Sequence, residues 1–599
     1  MAVMLLDNVK TPADVKKLNI KELQTLADEI RGRIIGVVNK NGGHLASNLG
    51  VAELIVALYY CFDFPKDKLI FDVGHQCYAH KILSDRNDRF DTIRRENGLS
   101  GFPDPSESVY DAFTAGHAGN SISACLGYCA ARDTLKEDYY VIDVVGDASL
   151  FNGENLEAAT TNEKKPKKFI IILNDNGMSI SRNDNALYKL MSSVTTKKTY
   201  GRFMEFFSRT IGNSFIGKGL KGFKRWIKRS INGLSVIDSL GFKYVGIFNG
   251  NKMSELVRIL NNVKNSDRGV ILHLKTLKGK GLADAENHAE IYHGVGENLK
   301  INECTFSAAA GKFLVEAARK DDRITAICAA MKDGTGLKPF AEAFPDRFYD
   351  AGIAEEYAVT FAAGQAKGGL KPVVCIYSTF LQRAYDQIMQ DVCIQNLPVI
   401  FMVDRAGVVG SDGVTHQGLF DLSYLGMIPN MKVFAPKDAE ELKDIFGYCL
   451  KLSSPCAIRF PNGSHALFDE HTPISEKLWE YGENIEENVL LCVGPRMLRL
   501  AEQTAKVTDK RVTIVNCRSV KPLDEDFLSK LGGKNVITLE ENVSSGGFGS
   551  AVAEIFAARS IDAKLKIYAF PDVFVKHAET RSQTEKAGFT PENIVADLK

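Results

Sequence analysis

Two apolar runs in this chain end in oxygen-bearing side chains. Tyr139–Gly146 (YYVIDVVG) leads into Asp147-Ala148, and Lys168–Asn174 (KFIIILN) leads into Asp175-Asn176-Gly177. Asp147 and Asn176 stand 29 residues apart, the length of one helical crossover between parallel strands. Such a crossover brings both loops to the carboxyl edge of one sheet, where open α/β sheets bind ligands. A carboxylate and an amide carbonyl placed there are hard oxygen donors suited to Mg²⁺, whose octahedral shell readily takes phosphate oxygens. The same residue types favour plain turns, so two unrelated strand-to-loop turns remain open as a reading of these residues alone.

A second set of chemical groups lies in glycine-rich loops. Of eleven histidines, His44 sits in NGGHLASNLG, His75 in DVGHQ, His117 in AGHAGNS, His293 in YHGV and His416 in THQG. An isolated loop histidine is ordinarily solvated surface; several in such loops suit proton transfer and oxyanion stabilisation.

The elements that must position these groups alternate short apolar runs with amphipathic stretches. That pattern predicts α/β layers built on mainly parallel sheets. Pro372–Tyr377, Pro398–Val403, Val489–Val493 and Val536–Leu539 read as further buried strands, and Ser121–Arg132 and Glu154–Thr161 as helices. Polar, turn-prone stretches near residue 300 and over 470–485 divide the chain into three expected α/β domains, 1–300, 301–475 and 476–599.

Composition excludes several classes. The 599 residues carry 74 Lys plus Arg against 74 Asp plus Glu, without the positive excess of a dedicated nucleic-acid binder. No apolar run reaches the ~18 residues of a membrane span. Twelve cysteines include no Cys-x-x-Cys pair, which disfavours zinc sites and disulfide frameworks. The start, MAVMLLDNVK, shows no signal-peptide pattern, so the expectation is a reduced, cytoplasmic protein. Lys197 to Arg229 stands apart, with ten basic residues, one acid (Glu205) and interleaved aromatics. A basic amphipathic cover over the folded domains is the reading preferred to a polyanion or membrane-surface patch.

GDA followed by NDNGMSIS resembles the diphosphate–magnesium motif of thiamine-diphosphate enzymes. More specifically, DVGHQCYAHKIL (Asp72–Leu83), AGIAEEYAVTFAAG (Ala351–Gly364), IYSTFLQRAYDQ (Ile376–Gln387), DRAGVVGSDGVTHQG (Asp404–Gly418) and TLEENVSSGGFGS (Thr538–Ser550) resemble the 1-deoxy-D-xylulose-5-phosphate synthase family. The resemblance runs over nearly the whole chain and implies a transketolase-like fold of three domains. It implies thiamine diphosphate and Mg²⁺ as cofactors, pyruvate and glyceraldehyde 3-phosphate as substrates, and a homodimer. Asp147, Asn176 and Met178 would hold the metal. His75, Gly116, His117, Ala118, Ala148, Ser149 and Asn176 would contact the cofactor, the glycine turn before helix Ser121–Arg132 offering backbone N–H groups to phosphate. Glu355 would sit beside the aminopyrimidine, a role that calls for a raised pKa, with Glu356 an ordinary helix-start acid. Tyr377 and Phe380 would pack on that ring. His44, His293 and His416 would face the substrates, Arg383 and Asp412 would complete the pocket, and Arg405 and Arg459 would grip the acceptor phosphate.

Six residues at five sites depart from the family pattern. Ala148 stands for the last glycine of GDG, Tyr357 for a histidine, Asn249-Gly250-Asn251 for Asp-Gly-His, Leu282 for an aromatic, and Asn462 for a basic residue. These departures bear on acceptor preference and rate, and leave open a transketolase-like paralogue with a different donor or aldehyde.

Overall fold

The computed structural model describes residues 4–161, 166–177, 240–296, 305–463, 468 and 471–599. Met178 and the basic segment 197–229 lie outside the described residues. The chain forms two compact units, Met1–Ile93 with Gly98–Lys300, and Arg94–Asn97 with Ile301–Lys599.

The first unit is built on a five-stranded, wholly parallel sheet. Its order is Lys68–Phe71, Val141–Gly146, Phe169–Asp175, Val270–Lys275, Lys243–Asn249. The central strand Phe169–Asp175 is buried at every position, as expected of a parallel strand covered on both faces. The long helix Ile20–Asn41 starts on an Asn19 cap, whose Oδ1 accepts from the Lys21 and Glu22 N–H groups. Helix Ala52–Cys61 packs between it and Met253–Lys264 and is apolar nearly all round. On the other face lie Ser121–Leu135 and Gly153–Thr161. Because every strand runs the same way, Asp72, Asp147, Asn176 and Thr276 all follow strand ends at one sheet edge.

The second unit holds two sheets. One has seven strands in the order Ser519–Lys521, Lys432–Phe434, Cys456–Arg459, Ile400–Asp404, Lys371–Tyr377, Ile324–Cys328, Phe348–Asp350, all parallel save Ser519–Lys521. The other has four parallel strands, Val512–Asn516, Asn488–Cys492, Asn535–Val543 and Lys564–Phe570. The α/β class read from the sequence is therefore the class observed. Strand ends shift by a residue or two: Pro398, which has no N–H to donate, precedes rather than opens Ile400–Asp404. No described helix is long and apolar enough to cross a membrane.

Candidate active site

In the first unit, three histidines from three separate motifs meet. The rings of His44 and His75 lie 5.4 Å apart, His44 and His293 5.5 Å, and His75 and His293 5.2 Å. A two-residue antiparallel ladder does the positioning, pairing Gly43 with Val295 and His44 with Gly294. Asn48 completes it: buried, its Nδ2 donates to the carbonyls of both His44 (2.8 Å) and His75 (2.7 Å), while its Oδ1 accepts from Tyr78 N–H. Burial disfavours the imidazolium, so the pKa of His75 falls to about 3 and that of His293 falls well below its usual value, with Lys278 adding to both. Both rings are neutral near pH 7, each with one donor and one acceptor.

Asp147 follows its strand as the spacing required and is buried. Its Oδ1 accepts from Ala148 N–H at 3.0 Å, whereas Oδ2 is buried with no hydrogen bond among the described residues. Burial, then the nearby charge of Asp175, raises its pKa to about 7. A cation against Oδ2 would relieve that cost, so the residue fits a metal. Among the described residues no group of three or more His, Cys, Asp or Glu is placed to hold a metal ion. A Mg²⁺ site here would therefore draw on the Asn176 carbonyl and phosphate oxygens as well.

Residues 116–118 form the loop before helix Ser121–Leu135, and Ala148 and Ser149 the turn after Asp147. The N–H groups at the helix start itself are engaged within the protein, so the expected contacts rest on residues 116–118 before it. Gly119 and Ser121 N–H donate to the Asp72 carboxylate and Ile122 N–H to Asn155 Oδ1.

Lys278 is a residue the sequence reading missed. It is buried, and burial lowers its pKa to about 8 against the pull of Asp147 and Glu290. Its loop is pinned by Gly279 N–H to the Ala46 carbonyl and by Leu277 N–H to Asn251 Oδ1. Asn251 also donates to the Gly50 carbonyl and to the buried Glu53, so this departure from the family pattern holds the Lys278 loop. Leu282 packs against Ala46, Ala285 and Ala289.

In the second unit, Glu355 opens helix Glu355–Lys367 and exposes only 4% of its surface; Glu356 is half-buried. Burial raises the Glu355 pKa, and Arg383, with Nη1 3.5 Å from Oε2, only partly offsets it. Tyr377 ends the buried strand Lys371–Tyr377, Phe380 follows it, and their rings stack at 5.7 Å and 16°. Phe380 meets the His416 ring edge-on at 5.7 Å. Burial depresses the His416 pKa to about 4 despite Asp412. Arg405 lies with its guanidinium carbon 4.1 Å over the Tyr377 ring and Nη1 3.8 Å from Asp412 Oδ2. The loop closes because Gly407 and Gly418 exchange backbone hydrogen bonds of 2.7 and 2.8 Å. A Cβ on Gly418 would stand 2.4 Å from the Arg405 carbonyl oxygen, so only glycine fits. Arg94, a second residue missed from sequence, pairs with Asp412 and donates to Ser411 Oγ.

Arg459 is placed otherwise than expected. It is buried, with Nε 2.9 Å and Nη2 3.2 Å from the two Asp421 oxygens and Nη2 also donating to the Glu541 carbonyl. The two-pronged edge is spent on a carboxylate, which accepts the fork in two places as a phosphate would, leaving at most the Nη1 edge. Of the other departures, Tyr357 is exposed and stacks on Phe361, and the Asn462 carbonyl accepts from Arg496.

Three family models match the chain: 1-deoxy-D-xylulose-5-phosphate synthase over residues 6–276, the transketolase pyrimidine binding domain over 302–465 and the transketolase C-terminal domain over 486–594. The chain is 43% identical over 609 residues to the 1-deoxy-D-xylulose-5-phosphate synthase of Caldanaerobacter subterraneus subsp. tengcongensis, covering 98% of each. It is 43% identical over 613 residues to that of Clostridium tetani, covering 99% of each. Among solved structures, transketolase from Leishmania mexicana is 16% identical, with 96% of each chain covered and a TM-score of 0.43.

Proposed function

Because the chain belongs to the 1-deoxy-D-xylulose-5-phosphate synthase family, we propose that it condenses pyruvate with D-glyceraldehyde 3-phosphate, with loss of CO₂, to give 1-deoxy-D-xylulose 5-phosphate. This is the first step of the non-mevalonate isoprenoid route and a source of thiamine and pyridoxal precursors. Thiamine diphosphate, when bound, supplies the electron sink for that decarboxylation. The observation that carries the reading is Glu355, a buried helix-start carboxyl with a raised pKa that stands 3.5 Å from Arg383 Nη1. A carboxyl of that kind can share a proton with a ring nitrogen.

The remaining assignments follow. Residues 1–300 form the diphosphate- and Mg²⁺-binding domain, 301–475 the pyrimidine-binding domain and 476–599 the C-terminal domain. Asp147 and Asn176 hold Mg²⁺, with Met178 a third contact; the unsatisfied Asp147 Oδ2 supports this. Gly116, His117, Ala118, Ala148 and Ser149 contact the diphosphate, and Tyr377 and Phe380 flank the pyrimidine. His44, His75, His293 and His416 hold or move protons at substrate oxygens through their ring nitrogens. Arg383 orients Glu355, Asp412 orients Arg405, and Arg405 takes the acceptor phosphate, with Arg459 contributing its Nη1 edge. The enzyme works as a cytoplasmic homodimer. The direct test is product identification: pyruvate and glyceraldehyde 3-phosphate with added cofactor and Mg²⁺ should yield 1-deoxy-D-xylulose 5-phosphate and CO₂. Turnover of a phosphorylated ketose without CO₂ would refute the assignment.

Arg405→Ala separates acceptor binding from cofactor chemistry. A charge-assisted contact contributes ~1.5–3 kcal/mol, so KM for glyceraldehyde 3-phosphate should rise roughly 10- to 150-fold. Unphosphorylated glyceraldehyde should be unaffected, and equal losses with both aldehydes would remove Arg405 from the phosphate site. Arg459→Ala should instead act first on stability, since it strands the buried Asp421 carboxylate.

A further inference from the structure

Behind the loop 116–121 lies a set of side chains that the proposed chemistry does not use. Asp72 is fully buried just after strand Lys68–Phe71, its own N–H held by the Val144 carbonyl at 3.0 Å. Both its oxygens stand 3.0 Å from Gly119 N, and Oδ2 is 3.4 Å from Ser121 N. Asn155, on helix Gly153–Thr161, is also fully buried. Its Nδ2 donates to Asp72 Oδ2 (3.1 Å) and to the Ser149 carbonyl (2.9 Å), and its Oδ1 accepts from Ile122 N–H (3.1 Å). Ser121 Oγ donates in turn to Asp143 Oδ2 at 3.0 Å. Two side chains thus bind three backbone N–H groups, of Gly119 in the loop and of Ser121 and Ile122 at the helix start, and the carbonyl of the opposite turn.

The inventory of donors decides what this hub can do. An anion needs donors, and Asp72 has none when ionised. Asn155 has two N–H groups, and both are engaged. Neither side chain is equipped to touch a diphosphate, yet together they set the spacing between the two segments proposed to hold it. The packing agrees: Gly119 has φ +96°, and a Cβ there would stand 2.3 Å from the Asn152 side chain, so loop and turn are seated without slack.

We propose that Asp72 and Asn155 are positioning residues that clamp the loop 116–121 to the turn at Ser149 and thereby set the affinity for the cofactor's diphosphate. This rests on the thiamine-diphosphate reading above.

The test is a titration of the full-length, cofactor-free protein with thiamine diphosphate in the presence of Mg²⁺, followed by calorimetry well below the melting temperature. Asn155→Ala removes all three bonds at a helix position where alanine is well tolerated. By analogy with outer-shell partners of bound metals, its Kd should rise about 10- to 100-fold. KM for pyruvate, measured at saturating cofactor, should not move. Asp72→Asn, which turns a donor toward the loop N–H groups, should weaken binding in the same way. If Asp72→Asn does not fold, Asn155→Ala alone decides. A folded Asn155→Ala protein with wild-type affinity would overturn the proposal. So would an equal rise in cofactor Kd and pyruvate KM, the mark of general loosening. A wild-type protein that bound no thiamine diphosphate would instead remove the functional reading beneath it.

Discussion

Glu355→Ala is expected to lose roughly 10²- to 10⁴-fold in kcat, the range of a positioned acid–base group, while Glu356→Ala keeps most of its activity. The two acids are adjacent, but the helix start treats them differently: Glu355 is buried against Arg383 and Glu356 is half-buried. Stability should move in the opposite direction. A carboxyl whose pKa is raised by burial contributes stability only below its unfolded value, and that contribution is lost as pH rises through the folded value. Above the unfolded value, burial of Glu355 is therefore a growing cost to the cofactor-free protein. Glu355→Gln, which keeps the volume, should be at least as stable as wild type in denaturant titrations, with an advantage that grows as pH rises above the acid range. Parallel loss of activity in the Glu355 and Glu356 variants would show that the register of this helix had been misassigned. A Glu355→Gln protein that is both inactive and less stable would mean that the carboxyl serves the fold.

The largest effect on stability is expected from Asp111→Ala. Asp111 is a buried hub: its two oxygens lie 2.7 Å from Arg86 Nη1 and Nη2, while Oδ1 is 2.8 Å from His80 Nε2 and Oδ2 2.8 Å from Asp104 N. Burial by itself would raise its pKa, but the Arg86 fork and His80 outweigh it and hold the carboxyl far below the usual range. Removing it leaves Arg86 buried with only Glu107, 3.6 Å from Nη1, as a counter-ion, which costs about 3–5 kcal/mol. Because the folded pKa is depressed, this stability is present above the unfolded value of about 4 and fades as pH falls below it. The gap between wild type and Asp111→Asn should therefore be flat from pH 5 to 8 and narrow only in acid. The same network holds the segment that carries Phe102, which meets His44 edge-on at 5.5 Å, so a loss of activity should accompany the loss of stability. A variant within 1 kcal/mol of wild type, by the ~1.4 kcal/mol per tenfold scale, would show that the hub is relaxed by water.

What the sequence determined by itself was local or strongly periodic. Fully covered parallel strands are nearly continuous apolar runs, so Lys168–Asn174, observed as Phe169–Asp175, was legible to within a residue, and with it the loop that follows. The spacing from Asp147 to Asn176 was that of a single crossover, and the parallel register pairing Gly146 with Asn174 bears that out. Tertiary structure alone decided the rest. His44 reaches His293 through a ladder between residues 43–44 and 294–295, and Asn48 ties His44 to His75; nothing in a local pattern encodes a loop's path over such distances. Arg94 and Asp412 meet across 318 positions. Arg459 and Arg405 look alike in sequence, each an arginine at a strand's end. Only the fold shows that one faces the buried Asp421 and the other the Tyr377 ring. The physical reason is that hydrophobic pattern specifies which face of an element is covered, whereas the partner of a buried charge is chosen by which acceptor the packed chain brings within 3 Å or so.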